Sequence, residues 1–182
     1  MRAAVIDFET TGLLKSAPHP ELQPYITEIA CVIINERFEE LGSFVTRLNP
    51  DIDPNKWEEG AIKTTGIGPD DVAKEPTYFM KHHDFANFVL GCDTWGGFNC
   101  PFDQQVLRWE LIRNGFECAF PWPPATFDVM RRSARKIEMQ GRNGLKNPKL
   151  GEAYKHFTGK EMPNAHEALA DVRHTIDVWR HL

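Results

Sequence analysis

Cysteine is scarce. The 182 residues include four, Cys31, Cys92, Cys100 and Cys118, with no C-x-x-C pair among them. That argues against a disulfide framework or a zinc site and leaves free thiols as the expected state. Long apolar runs are also missing: Met1-Arg2-Ala3-Ala4-Val5-Ile6 meets an acid at Asp7, too soon for a secretory hydrophobic region, and nothing later approaches a membrane span. A soluble, cytoplasmic protein without membrane contact is expected. Positive charge is not in excess, with 21 Lys and Arg against 26 Asp and Glu, net −5. A protein that coats nucleic acid by bulk electrostatics is thereby disfavoured. Repeats and low-complexity tracts are absent.

What is present suffices for one core. A hydrophobic content of 41% over this length predicts a single domain spanning residues 1–182. The charge is uneven. Arg131, Arg132, Arg135, Lys136, Arg142, Lys146, Lys149 and Lys155 face only Glu138 and Glu152 in the same segment, a local +6 that leaves −11 elsewhere. This stripe reads as a phosphate track, or equally as a solvated helix face and loop.

Arg2 to Phe8, Ile26 to Ile34 and Leu41 to Leu48 are β-prone runs separated by polar turns, which predicts an antiparallel meander. An irregular stretch punctuated by Pro50, Pro54, Gly60, Gly66, Gly68 and Pro69 follows. A helix is predicted from about Tyr78 to Leu90, a short strand from Asp93 to Phe98, and a helix from Phe102 to Asn114 stopped by Gly115. Further helices are predicted over Thr126 to Ile137, Leu150 to Phe157 and Ala165 to the C-terminus. This order describes an α/β fold whose sheet mixes antiparallel and parallel pairing between helices.

Three acidic clusters carry chemistry. In Val5-Ile6-Asp7-Phe8-Glu9, strand alternation puts Asp7 and Glu9 on one face. Two strand rises separate them, roughly 6.6 Å, a span that two carboxylates can close around one cation. Alone, the pair reads as well as a strand ending in solvent. Thr10-Thr11-Gly12 continues it with a turn whose amides can approach a terminal nucleotide. The second cluster, Asn99-Cys100-Pro101-Phe102-Asp103, places Asp103 in a first helical turn after Gly96-Gly97, which allows close backbone approach or a simple bend. In the third, Asn164 caps a helix with Glu167 three residues on, and Ala165, Leu169, Val172, Ile176 and Trp179 form its buried stripe. Asp171 lies at the stripe's edge and His166 in the first turn, within reach of a water. The other histidines, among them His82, His83, His156, His174 and His181, read as surface or packing residues.

Together the clusters resemble the DEDDh exonucleases, the DnaQ-like family, which reads D-x-E-T-T-G, N-x-x-F-D and H-x-A-x-x-D in this order. Thr64-Thr65-Gly66-Ile67 with Asp71-Val72, and Lys149 to Tyr154, resemble further family segments. Thr65 stands where the family often has histidine, and the Leu14 to Pro24 loop is longer, departures that bear on substrate contacts. The resemblance implies a ribonuclease H-like mixed five-stranded sheet, three antiparallel strands first and then parallel, flanked by helices. It implies two divalent cations, Mg2+ or Mn2+, with Asp7, Glu9 and Asp171 holding one, Asp7 and Asp103 the other, and His166 as general base. A histidine titrating near about 6.5 accepts a proton at neutral pH, so activity is expected to rise with pH.

The implied reaction is metal-dependent 3'-to-5' hydrolysis at the 3' end of single-stranded nucleic acid, DNA in preference to RNA, releasing nucleoside 5'-monophosphates. Thr10, Thr11, Gly12, Asn99 and Phe102 would contact substrate. Proofreading subunits of the family continue into a polymerase-binding tail, whereas this sequence stops at Leu182, so a stand-alone repair, recombination, phage or processing nuclease is expected. Three readings compete: an exoribonuclease that trims RNA, an inactive nucleic-acid-binding protein on the same fold, and a metal-dependent nucleotide phosphatase indifferent to polymer length.

Overall fold

The computed structural model describes residues 1–141, 144–163 and 167–182. A five-stranded sheet forms its centre, in the order β3-β2-β1-β4-β5. β1 (Arg2–Thr10) pairs antiparallel with β2 (Ile26–Asn35), which pairs antiparallel with β3 (Glu40–Arg47). On its other side β1 runs parallel to β4 (Thr94–Gly97), and β4 runs parallel to β5 (Ala125–Asp128). The expected mixed sheet is therefore present.

β1 is continuous and apolar because both its faces are covered. Ala4, Ile6 and Phe8 pack with Phe85 and Val89 of α3 (Tyr78–Val89) and with Val106, Leu107 and Leu111 of α4 (Cys100–Asn114). Ala3 and Val5, on the opposite face, join a second core with Val172, Ile176 and Trp179 from the last helix, Ala168–Trp179.

Several expectations need correction. The stretch after β3 is less irregular than its prolines and glycines suggest. It contains α1 (Glu59–Thr65) and α2 (Pro69–Val72), which share a small core of Trp57, Ile67 and Val72. The helix predicted from Thr126 begins later: Thr126 and Phe127 are paired into β5, and Asp128 caps α5 (Val129–Ile137), its Oδ1 accepting from the Arg131 amide at 3.2 Å. A two-residue ladder follows, β6 (Gln140–Gly141) with β7 (Gly144–Leu145), and then α6 (Leu150–Thr158).

The final helix, α7 (Ala168–Trp179), starts after the expected cap. Glu167 has extended φ and ψ of −101° and 113°, so it is the cap residue itself and not the third helical residue. Asn164, Ala165 and His166 lie outside the described residues. Gly96 also has a definite role, since a Cβ there would collide with the ring of Trp179. Gly96→Ala is expected to lower stability by about 1–3 kcal/mol through overpacking, readable as a lower urea midpoint. Among the described residues no helix is long and apolar enough to cross a membrane.

Candidate active site

β4 accompanies β1 only as far as the Val5–Gly96 pair. Beyond that point β1 has no strand on this side, and the backbone amide of Phe8 instead donates to Asp103 Oδ1 at 3.2 Å. Asp103, in the first turn of α4, is buried, and that bond holds it beside Asp7 and Glu9. The α4 turn is entered through Asn99, whose φ of 72° and ψ of 46° are left-handed, and Pro101 occupies the first turn. Asp171 sits in the first turn of α7, half-buried, and its amide donates to the Glu167 carbonyl at 2.9 Å.

Electrostatics tie these groups together. Asp7 is pushed up to about 7, first by withdrawal from water and then by the charges of Asp171 and Glu28. Glu9 is pushed up to about 8 by burial, then by Asp7, Glu28 and Asp171. Asp103 is raised well above the carboxylate range by burial, Asp7 and Glu9, against the lowering effect of the Phe8 amide. Sequence reasoning missed Glu28. It lies directly across the β1–β2 ladder from Glu9 and is paired with Arg47 at 3.2 Å. A single acid inside the otherwise apolar start of β2 was the available signal. His174, one helical turn beyond Asp171, is buried with Nδ1 3.8 Å from Asp171 Oδ1.

The donor set suits a hard divalent cation. Asp103 is a buried oxygen donor and Asp7 and Glu9 are half-buried ones, each raises the proton affinity of another, and no cationic side chain among the described residues offsets them. Among those residues no group of three or more His, Cys, Asp or Glu side chains is arranged closely enough to hold an ion as it stands. Like-charge repulsion opposes gathering such a set, and a bound cation would offset it.

In metal-free protein, Asp7 and Glu9 bind protons more tightly folded than unfolded, so their favourable contribution is full below the ordinary carboxylate range, near about 4, and is lost as pH rises through about 7 to 8. In EDTA, Tm is expected to be several degrees lower at pH 8.5 than at pH 5.5, with millimolar Mg2+ or Mn2+ restoring it at the higher pH. A Tm that is flat with pH and indifferent to both cations would contradict the electrostatic account.

Glu9 also lines an open cavity of about 410 Å3, together with Thr10, Gly12, Leu13, Thr65 and Phe102. The volume lies within the roughly 300–1,000 Å3 usual for ligand sites. Three of the five expected substrate contacts, Thr10, Gly12 and Phe102, are therefore gathered on one cavity, and Thr65, a departure from the family pattern, is part of its wall. Thr11 and Asn99 are not. Thr11 turns away, its Oγ1 accepting from the Tyr25 amide at 3.0 Å, and Asn99 shapes the entry to α4. Gly12 lies close against the Glu58 carboxylate stem, which would have to move aside for a Cβ there. Glu58 in turn accepts from the Leu13 amide at 3.3 Å and pairs with Lys15.

Comparison with curated proteins finds no match. Among solved structures, E. coli exonuclease I in complex with a dT13 oligonucleotide aligns with a TM-score of 0.77 and 23% identity, over 98% of this chain and 40% of that one. A zinc-bound E. coli exonuclease I complex with single-stranded DNA aligns at 0.74 and 22%, over 99% and 40%. The likeness establishes the ribonuclease H-like fold, and the chain spans about two fifths of the exonuclease I chains it matches. An exonuclease family model of the RNase T type matches residues 4–179, nearly the whole sequence. The chain belongs to this DEDDh, DnaQ-like exonuclease family, whose members depend on divalent metal.

Proposed function

We propose that the protein is a two-metal 3'-to-5' exonuclease acting on single-stranded nucleic acid, DNA in preference to RNA, and releasing nucleoside 5'-monophosphates. The observation that carries this reading is the double position of Glu9, a member of the carboxylate set and also a wall of the cavity. A terminal nucleoside seated against Phe102 and Leu13 would bring its phosphate to the carboxylates. Asp7, Glu9 and Asp171 would hold one cation and Asp7 with Asp103 the second. Bound there, Mg2+ or Mn2+ would neutralise the scissile phosphate and sharpen a water as nucleophile.

The chain's own contributions are positional. Asp103 is fixed by the Phe8 amide and Asp171 by the first turn of α7. His166, assigned as general base by its place in the H-x-A-x-x-D motif, would take the proton from the attacking water. DNA is favoured because the matched exonuclease I structures hold oligo-dT and single-stranded DNA. We further propose one domain over residues 1–182 acting in the cytoplasm, where four free thiols suit a reducing compartment.

The test is a ladder assay on 5'-labelled single-stranded DNA and RNA of one sequence, with Mg2+, Mn2+ or EDTA. Metal-dependent shortening from the 3' end, faster on DNA, is expected. Intact strands in every lane would move the protein to the class of binding modules.

A further inference from the structure

α5 is strongly one-sided. Val129, Ser133 and Ala134 are buried, whereas Arg131, Arg132, Arg135 and Lys136 are exposed. Those four cations occupy positions i, i+1, i+4 and i+5, which form one helix face. The face begins at the reactive edge of the sheet. Asp128, the α5 cap, is paired in register with Gly97 at the end of β4, and Cys100, which opens α4, lies within the field of Asp103 and Arg131 alike.

Four of the eight cations of the basic segment are already engaged. Lys146 pairs with Glu152 at 2.9 Å, Lys155 with Glu161, and Arg131 with Asp128 at 3.4 Å, while Lys136 donates to the His181 carbonyl at 2.8 Å. Arg132 and Arg135 have no carboxylate partner among the described residues. The Arg132 guanidinium lies over the Phe127 ring, 5.2 Å from its centroid, a contact that orders the side chain and leaves its N–H groups available. Arg132 and Arg135, three residues apart, are separated by about 4.5 Å along the axis, so their long side chains can reach neighbouring phosphates of one strand.

The balance of charge selects the occupant. With +6 in residues 131–155 and −11 elsewhere, a polyanion is repelled by the rest of the chain and attracted to this segment. We propose that the exposed face of α5 is the track for the phosphodiester backbone upstream of the 3' terminus, with Arg132 and Arg135 each neutralising one phosphate. The inference rests on the nuclease reading above. It adds where the strand runs after leaving the cavity and which side chains make longer substrates bind more tightly.

The test measures binding of short fluorescent oligo-dT and oligo-rU to the full chain in EDTA across a salt series. Each phosphate contact on a single strand contributes about 0.7 to the slope of log affinity against log salt, so Arg132→Gln/Arg135→Gln is expected to flatten it by about 1.4. Arg132→Lys/Arg135→Lys should keep the parent slope. So should Arg37→Ala/Lys74→Ala, which removes equal charge from exposed sites elsewhere. The two polymers should respond alike, since the contacts are to phosphate. An unchanged slope in the glutamine variant, an equal loss in the Arg37/Lys74 control, or an effect confined to one polymer would each overturn the track. A parent that shortens oligonucleotides while the glutamine variant keeps its slope would fail this inference alone. A parent that shortens none would fail the nuclease reading.

Discussion

Asp7→Asn is expected to reduce metal-dependent shortening of single-stranded DNA by more than about 1,000-fold while making the metal-free protein more stable at alkaline pH. The two effects have one cause. In the proposed site Asp7 is shared by both cations, so its loss removes more than a single oriented hydrogen-bond donor, for which about 100- to 1,000-fold is usual. Without metal, the same carboxylate is a half-buried charge in the field of Asp171 and Glu28, held up to about 7. Asparagine keeps the volume and removes that charge.

In EDTA at pH 8.5 the variant should therefore melt above the parent. The two Tm values should converge only below about pH 4, where Asp7 is protonated in both the folded and the unfolded parent. Divalent cation should raise the parent Tm more than that of the variant. Thermal melts in chelator, beside the ladder assay, check each part separately. An Asp7→Asn protein that is less stable at pH 8.5 would mean that Asp7 serves structure through a partner, and the opposition between stability and catalysis would fall.

Arg113→Ala is expected to have the largest effect on stability. The guanidinium is buried under the loop that separates β1 from β2. It meets Glu110 Oε2 at 2.5 Å, donates to the carbonyls of Pro20 at 2.7 Å and Pro24 at 3.0 Å, and lies 3.8 Å above the Tyr25 ring. Truncation would strand a buried carboxylate and leave those two carbonyl contacts unmade. Breaking such a pair from one side costs about 3–5 kcal/mol. At about 2–4 °C per kcal/mol for a domain of this size, the melt should fall by roughly 6–20 °C.

Removing both charges, as in Glu110→Gln/Arg113→Met, should cost much less, because no buried charge is then unpaired. A single variant melting within about 2 °C of the parent would show that the pair is effectively solvated. The anchor also matters near the cavity. Tyr25 holds Thr11 through two bonds, its amide donating to Thr11 Oγ1 at 3.0 Å and its carbonyl accepting from the Thr11 amide at 2.9 Å. The longer Leu14 to Pro24 loop, a departure from the family pattern, is thus tied to α4 at one end and to the D-x-E-T-T-G strand at the other.

Much was legible in the sequence because the relevant signals are local. Alternation in β1 placed Asp7 and Glu9 on one face, and Gly115, left-handed at φ 71°, ends α4 as its position suggested. The order of the three acidic motifs identified the family and, with it, the mixed sheet. Local signals failed where a partner decides the conformation. Thr126 to Asp128 resembled the start of a helix because a short parallel strand has no periodicity of its own, and only pairing with β4 makes it β5. Glu167 reads as the third residue of a capped helix, yet its extended backbone starts α7 one residue later.

The sequence by itself determined which carboxylates are available, which strand carries the first two, and that a basic segment stands apart from an acidic chain. Only the tertiary structure decided how these features meet. Glu28 joins the site through ladder register, Asp103 through the Phe8 amide left unpaired where β4 ends, and Thr65 through a cavity wall that α1 supplies. The reason is physical: burial, register and Coulomb coupling depend on distances between segments far apart in the chain, and those distances arise only when both faces of β1 are covered.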